Sequence, residues 1–78
     1  MESKYQHKVI KRLESEGWYV IKLISTNKPG IPDLIAIKPN EVKLIEIKGK
    51  KTPVSKLQEY RIKELNDHGI TAYIEREI

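Results

Sequence analysis

The sequence contains no cysteine, which excludes a disulfide framework and a thiolate zinc site as sources of stability. It also contains no glycine-rich phosphate loop, nucleophile elbow or zinc motif. Its two histidines, His7 and His68, lack the spacing of metal ligands, and we expect both at the surface. Uncharged runs are short, far below the about 20 apolar residues that a membrane span needs. We therefore expect no membrane partner.

The size of the chain limits the core that it can build. Its 78 residues predict one domain, residues 1–78, and 38% apolar with 33% charged residues is typical of a soluble folded domain. So short a chain buries little surface, which makes pairing into a homodimer a reasonable expectation. The N-terminal segment is charged before any apolar stretch, so no signal peptide is expected. We expect a cytoplasmic location, which is the host cytoplasm if a phage encodes the chain.

The spacing of apolar residues predicts an α/β fold with the order α-β-β-β-α-β. The predicted helices are residues 2–16 and 55–68, and the predicted strands are residues 18–24, 33–37, 42–48 and 70–75. Ser55 and Gln58 have the spacing of a capping box at the start of the second helix. A right-handed crossover would make the last strand parallel to the third. The result is a small mixed sheet flanked by helices, in which the apolar second strand is covered on both faces.

Two acidic residues are predicted to lie side by side in this sheet. A tight turn at residues 39–40 makes Lys38 face Glu41, and the same register places Asp33 opposite Glu46. Carboxylates placed in this way repel each other, and folding alone gains nothing from the arrangement. A divalent cation between them removes the repulsion, because Mg²⁺ or Mn²⁺ takes oxygen ligands. The pattern therefore predicts a metal site.

Neighbouring residues fit such a site. Lys48 lies two residues beyond Glu46 and points to the same face, and the carbonyl of Ile47 is a further oxygen ligand. Glu2 and Gln58 lie on the core-facing stripes of their helices, so both can reach the sheet edge. Two alternatives remain open from the sequence: Gln58 serves only the capping box, and Glu2 is an ordinary acid of a first helical turn. Together the residues suit metal-assisted phosphodiester hydrolysis.

The charge distribution points to a polyanionic partner. Fifteen Lys and Arg against eleven Asp and Glu give a net charge of +4, and residues 47–57 contain four lysines and no acid. These lysines either contact phosphate or are a solvated loop. The candidate DNA-binding residues are Lys22, Thr26, Asn27, Lys28, Lys50, Lys51, Ser55 and Lys56.

An ordered set of motifs covers nearly the whole chain. A Glu-x-x-x-Gln opens the first helix, and Asn-x-x-Gly-Ile-Pro-Asp leads into the second strand. After Asp33 and a gap of twelve residues comes Glu-Ile-Lys, and Ser-x-x-Gln opens the second helix. This set resembles the VRR-NUC branch of the PD-(D/E)xK nuclease superfamily and is similar to archaeal Holliday junction resolvases. The resemblance implies a restriction-endonuclease-like core in which Asp33, Glu46 and Glu2 bind Mg²⁺ or Mn²⁺, Lys48 is catalytic and Gln58 supports the site.

The resemblance also implies an activity. It suggests a homodimeric, metal-dependent DNA endonuclease that acts on branched or structured DNA in phage-like or microbial replication, repair or recombination. Two other functions remain open from the sequence. The same fold can hold nucleic acid through its lysines without cutting it, or the chain can be a small α/β protein whose partner is another protein.

Overall fold

Two helices and four strands make up the structure, a computed structural model that describes residues 2–78, and of residue 2 the backbone alone. The elements are α1 (Glu2–Ser15), β1 (Tyr19–Lys22), β2 (Leu34–Lys38), β3 (Glu41–Lys48), α2 (Lys56–Asp67) and β4 (Thr71–Arg76). This order confirms the predicted α-β-β-β-α-β arrangement. No helix within residues 2–78 is both long enough and apolar enough to cross a membrane.

The strands form one mixed sheet in the order β1-β2-β3-β4. β1 pairs antiparallel with β2, β2 pairs antiparallel with β3, and β3 pairs parallel with β4. The helix α2 makes the crossover between the two parallel strands, as expected. One end of the sheet therefore brings together the last residues of β3 and β4 and the first residue of β2.

The turn between β2 and β3 fixes the strand register. Asn40 has a φ of 66°, and it follows a proline whose ring holds φ near −65°, a combination typical of a type II turn. Lys38 lies opposite Glu41 and Leu34 lies opposite Ile45. The predicted register is confirmed, and one further step along it places Asp33 next to Glu46.

The core lies between α1 and one face of the sheet. Val9 and Leu13 of α1 are buried, and they belong to one cluster with buried residues of β2 and β3. These sheet residues are Leu34, Ala36, Ile45 and Ile47, and Trp18 completes the cluster. α1 ends at Ser15, one residue before the predicted end, and the predicted stop Gly17 follows with a φ of 92°. The N–H of Trp18 donates to the carbonyl of Leu13 at 3.0 Å.

The opposite face of the sheet is only partly covered. α2 packs against β4 and has no buried residue of its own. Five apolar residues of this face, called the open face below, are half-buried or exposed. They are Tyr19, Ile21, Ile35, Ile37 and Val42. The expectation that β2 is covered on both faces is therefore wrong, because α2 follows the β3–β4 crossover and leaves the β1–β2 half of the sheet without a helix.

Candidate active site

The carboxylate of Asp33 is fixed by the backbone of β3. Its Oδ2 accepts a hydrogen bond from the N–H of Ile47 at 2.9 Å. The carbonyl of Lys48 accepts from the N–H of Glu77 on the β4 side, so Ile47 directs its own backbone groups toward β2. The residue that precedes Asp33 there is Pro32, which has no N–H to donate. The side chain of Asp33 thus accepts a hydrogen bond from the N–H of Ile47. Pro32 has no N–H that could donate to the carbonyl of Ile47.

Glu46 is buried within the sheet although it is charged. It is 3% exposed, and Lys48 is 6% exposed. The Oε2 atom of Glu46 lies 3.8 Å from Nζ of Lys48 and accepts a hydrogen bond from Nε2 of Gln58 at 3.2 Å. Buried charges are stable only when they are paired or hydrogen-bonded, and both kinds of partner are present here. Lys48 and Glu46 therefore face the same side of the sheet, as the alternation predicts.

Gln58 forms the capping box and also contacts Glu46. Its Oε1 accepts from the N–H of Ser55 at 3.0 Å, while its own N–H donates to the hydroxyl of Ser55 at 3.1 Å. The capping box is confirmed. Because the cap uses the amide oxygen, the amide nitrogen is directed away from Ser55 and donates to Glu46. The start of α2 thus sets the orientation of a side chain in the site.

The loop between β1 and β2 forms a cleft beside Asp33. The cleft has a volume of about 340 Å³, and Thr26, Lys28 and Asp33 are among its lining residues. The loop packs against α2 at Gly30, whose φ is 82° and where an added Cβ would lie 2.7 Å from the side chain of Leu57. Only glycine fits this position. The conformation that leads into Asp33 therefore depends on close contact with α2.

An arginine of α2 also holds this loop. Nε of Arg61 donates to the carbonyl of Pro29 at 2.9 Å. Arg61 was not among the residues predicted from the sequence. Arg61 lies about one helical turn after Gln58, so the two residues are neighbours on the surface of α2. This spacing is a sequence signal that could have identified it.

The candidate DNA-binding residues are all exposed. Thr26, Asn27 and Lys28 lie in the loop before β2, Lys50 and Lys51 follow β3, and Lys22 ends β1. Two of the predicted contacts have structural partners. The hydroxyl of Thr26 bonds to the backbone of Lys28, and the hydroxyl of Ser55 caps α2, where Lys56 is the first residue.

A third acidic ligand is not among the described side chains. The side chain of Glu2 lies outside what the structure describes, so its predicted role as a ligand has no structural counterpart here. Within the described part of the chain, no group of three Asp, Glu, His or Cys residues is arranged to hold a metal ion. The other two predicted acids, Asp33 and Glu46, lie at the same end of the sheet, where Asp33 bonds to the residue that follows Glu46.

An ionic network on the other side of the molecule ties α1 to β4. Glu75 accepts hydrogen bonds from the hydroxyl of Tyr5 at 3.0 Å and from Arg12 at 3.2 Å. Burial alone would raise the pKa of Glu75, but the hydrogen bonds from Arg12 and Tyr5 outweigh it and hold this pKa below its usual range. Burial and the bond to Glu75 raise the pKa of the Tyr5 hydroxyl. This network stabilises the fold and lies on the α1 face, away from the acid pair.

The fold and the site together define a nuclease domain of the PD-(D/E)xK type, with an aspartate before β2 and Glu-Ile-Lys at the end of β3. The sequence profile of the VRR-NUC domain matches residues 2–76. The chain belongs to the VRR-NUC family, as its motifs predict.

A solved structure confirms the fold class. The chain is similar to Hjc, a Holliday junction resolvase from the archaeal hyperthermophile Archaeoglobus fulgidus, with a TM-score of 0.74 and 20% sequence identity. The similarity covers 97% of this chain and 63% of the resolvase chain, so this chain spans less than two thirds of that protein. No curated protein matches the chain in sequence. The restriction-endonuclease-like fold is thereby confirmed.

Proposed function

We propose that this domain is a divalent-cation-dependent DNA endonuclease that hydrolyses phosphodiester bonds in branched or structured DNA. The observation that carries the proposal is the arrangement around Glu46. A buried carboxylate is held between Lys48 and Gln58, next to a second carboxylate on Asp33. A purely structural sheet gains little from adjacent acids, whereas a nuclease needs them to bind a cation.

The donor atoms of the site suit Mg²⁺ or Mn²⁺. The carboxylates of Asp33 and Glu46 and the carbonyl of Ile47 are all hard oxygen donors. Pro32, which lies opposite Ile47 in the register, has no N–H to donate to that carbonyl. Glu2 would add a third carboxylate. A bound cation would polarise the phosphate and lower the pKa of a water molecule.

The protein's own residues would bind and orient the substrate. The ammonium of Lys48 is held toward the acid pair at 3.8 Å from Glu46, where it would orient the attacking water or neutralise charge on the phosphate. Gln58 would keep Glu46 in place through its amide hydrogen bond. The exposed residues Lys50, Lys51 and Lys56, with Lys28 on the other side, would bind phosphates of the DNA backbone.

The substrate class rests on the similarity to a Holliday junction resolvase. We propose branched DNA formed in replication, repair or recombination as the substrate, in a cell or in a phage-infected host. A domain of 78 residues has little room for an element that reads base edges, so structure rather than sequence would direct binding.

A second copy of the chain is the partner proposed for the open face. Tyr19 is 69% exposed, Ile21 41% and Val42 39%, and none of the five open-face residues is charged. Two copies with a net charge of +4 each would repel through their lysines, so contact through an uncharged surface is favoured. Light scattering after size-exclusion chromatography is expected to give twice the mass of one chain, and Tyr19→Glu is expected to give one. A wild-type monomer would contradict this proposal.

Cleavage assays test the activity. Labelled four-way junction, flap, hairpin and linear duplex DNA are incubated with the protein in Mn²⁺ or in EDTA. We expect the four-way junction to be cut in Mn²⁺ and not in EDTA. Asp33→Asn should abolish cutting, because its amide oxygen still accepts from Ile47 while the charge is lost. Lys63→Gln, on the exposed face of α2, is the matched control and should cut normally.

The same assays separate the other functions. Salt-dependent DNA binding without cleavage in Mn²⁺ would identify a nucleic-acid-binding module instead of an enzyme. Neither cleavage nor DNA affinity at low salt would favour a protein partner.

A further inference from the structure

Arg76, the last residue of β4, holds the loop that follows β3. Its Nη1 donates to the carbonyl of Gly49 at 2.8 Å and to the carbonyl of Thr52 at 2.7 Å. Arg76 lies beside Lys48 in the parallel register of β3 and β4. One guanidinium nitrogen therefore joins both ends of the segment 49–52, directly next to the candidate catalytic lysine.

The segment that Arg76 holds is folded tightly. A Cβ added to Gly49 would lie 3.2 Å from Oγ1 of Thr52, so these two residues approach each other closely. Between them are Lys50 and Lys51, both of which are exposed. Closing the two ends of the segment leaves these two exposed lysines at its tip, directly after Lys48 in the chain.

Arg76 uses its guanidinium for contacts within the protein and not for a contact with DNA. The two hydrogen atoms on Nη1 match the two carbonyls, and the residue is partly buried. A guanidinium suits this task because its donors lie in one plane in a fixed geometry.

We propose that Arg76 is a positioning residue for substrate binding. It fixes segment 49–52 so that Lys50 and Lys51 meet the phosphate backbone of DNA beside Lys48. The inference rests on the proposed function, since it concerns how the same site binds its DNA.

Salt-dependent DNA binding is the test, measured by fluorescence anisotropy with a fluorescein-labelled four-way DNA junction in EDTA at a series of NaCl concentrations. The variants are Arg76→Met, Arg76→Lys, the pair Lys50→Gln with Lys51→Gln, and that pair combined with Arg76→Met. Lys63→Gln removes one positive charge from the exposed face of α2 and is the matched control. Circular dichroism and thermal unfolding verify that each variant is folded.

Each phosphate contact contributes about 0.9 to the slope of log affinity against log salt. The lysine pair variant should lose about two units of slope. Arg76→Met should lose more than one unit although it removes one charge, and adding it to the lysine pair variant should cause little further loss. Arg76→Lys, whose ammonium can donate to both carbonyls, should recover most of the slope, and Lys63→Gln should change none.

Two results would overturn the inference while leaving the proposed function intact. One is an unchanged slope in Arg76→Met. The other is a loss of about one unit that adds fully to the effect of the lysine pair, which would make Arg76 a direct phosphate contact. If Arg76→Met does not fold, Arg76→Lys becomes the deciding variant. A folded Arg76→Lys protein whose slope of log affinity against log salt stays low also contradicts the positioning role.

A measurement without DNA distinguishes this failure from failure of the proposed function. Limited digestion with trypsin, which cuts after lysine, should cleave at Lys50 or Lys51 faster in Arg76→Met than in the wild type. Equal cleavage rates would contradict the positioning role even if the wild type binds no DNA. Faster cleavage with no wild-type DNA binding would overturn the proposed function and, with it, the substrate that the inference assigns to these lysines.

Discussion

Replacing Lys48 with methionine is expected to destabilise the fold, apart from any effect on catalysis. Both Lys48 and Glu46 are buried, so the ammonium at 3.8 Å compensates a carboxylate that water cannot solvate. Methionine keeps the length and the apolar character of the stem but removes the charge. The carboxylate of Glu46 then lies next to Asp33 without that compensation.

The expected size follows from the geometry. Two unit charges 3.8 Å apart attract by about 4 kcal/mol at an effective dielectric constant of ~20. Removing one partner of a buried ion pair usually costs about 3–5 kcal/mol. A domain of this length has a total stability of about 4–12 kcal/mol, and each kcal/mol corresponds to a melting temperature change of about 4–8 °C. We therefore expect Lys48→Met to lower the melting temperature by at least about 12 °C.

Thermal and urea unfolding in EDTA measure this effect. The matched variant carries Lys48→Met together with Glu46→Gln, which removes both charges and keeps an amide oxygen near Gln58. It should recover most of the lost stability but no cleavage, because replacing both members of a buried pair by neutral groups is often nearly neutral. If Lys48→Met melts within a few degrees of the wild type, or if the double variant is less stable than the single one, the buried ion pair does not stabilise the fold as expected.

Three further predictions concern the elements that hold the site. Gly30→Ala forces a Cβ toward Leu57 at a positive φ, so the free energy of unfolding should fall by about 1–3 kcal/mol in urea titrations, and an unchanged value would contradict the close contact. Ser55→Ala should cost about 1 kcal/mol and also slow cleavage, because Gln58 loses the cap that orients it; full activity would remove that link. Glu75→Gln should flatten the loss of stability in acid. The native pKa of Glu75 is lowered, so its contribution to the free energy of unfolding is present above pH 4.5 and disappears as the pH falls through the native pKa. If the stability of the variant and of the wild type falls equally with pH in acid, this prediction is contradicted.

Local chemistry explains why the site could be predicted so far from the sequence. The two-residue turn contains Pro39 and Asn40, of which the first fixes φ and the second tolerates a positive value. The turn therefore determined the register that places Asp33 next to Glu46. The alternation of a strand then placed Lys48 on the same face as Glu46.

Contacts between elements that are far apart in the sequence could not be predicted from local patterns. The pairing of Arg76 with Lys48 depends on how the crossover through α2 aligns β4 with β3, and no local pattern specifies that alignment. The same is true of the open face. A continuous apolar run in β2 indicates burial on both faces of the strand. The position of the twelve-residue helix α2, however, is set by the whole crossover between β3 and β4.

The proposed function requires that the carboxylates of Asp33 and Glu46 together hold a divalent cation. Anomalous diffraction from crystals of the protein soaked in MnCl₂ tests it directly. We expect a manganese peak between these two side chains in the wild type and its loss in crystals of Asp33→Asn. No peak there in the wild type, or the same peak in the variant, would contradict it.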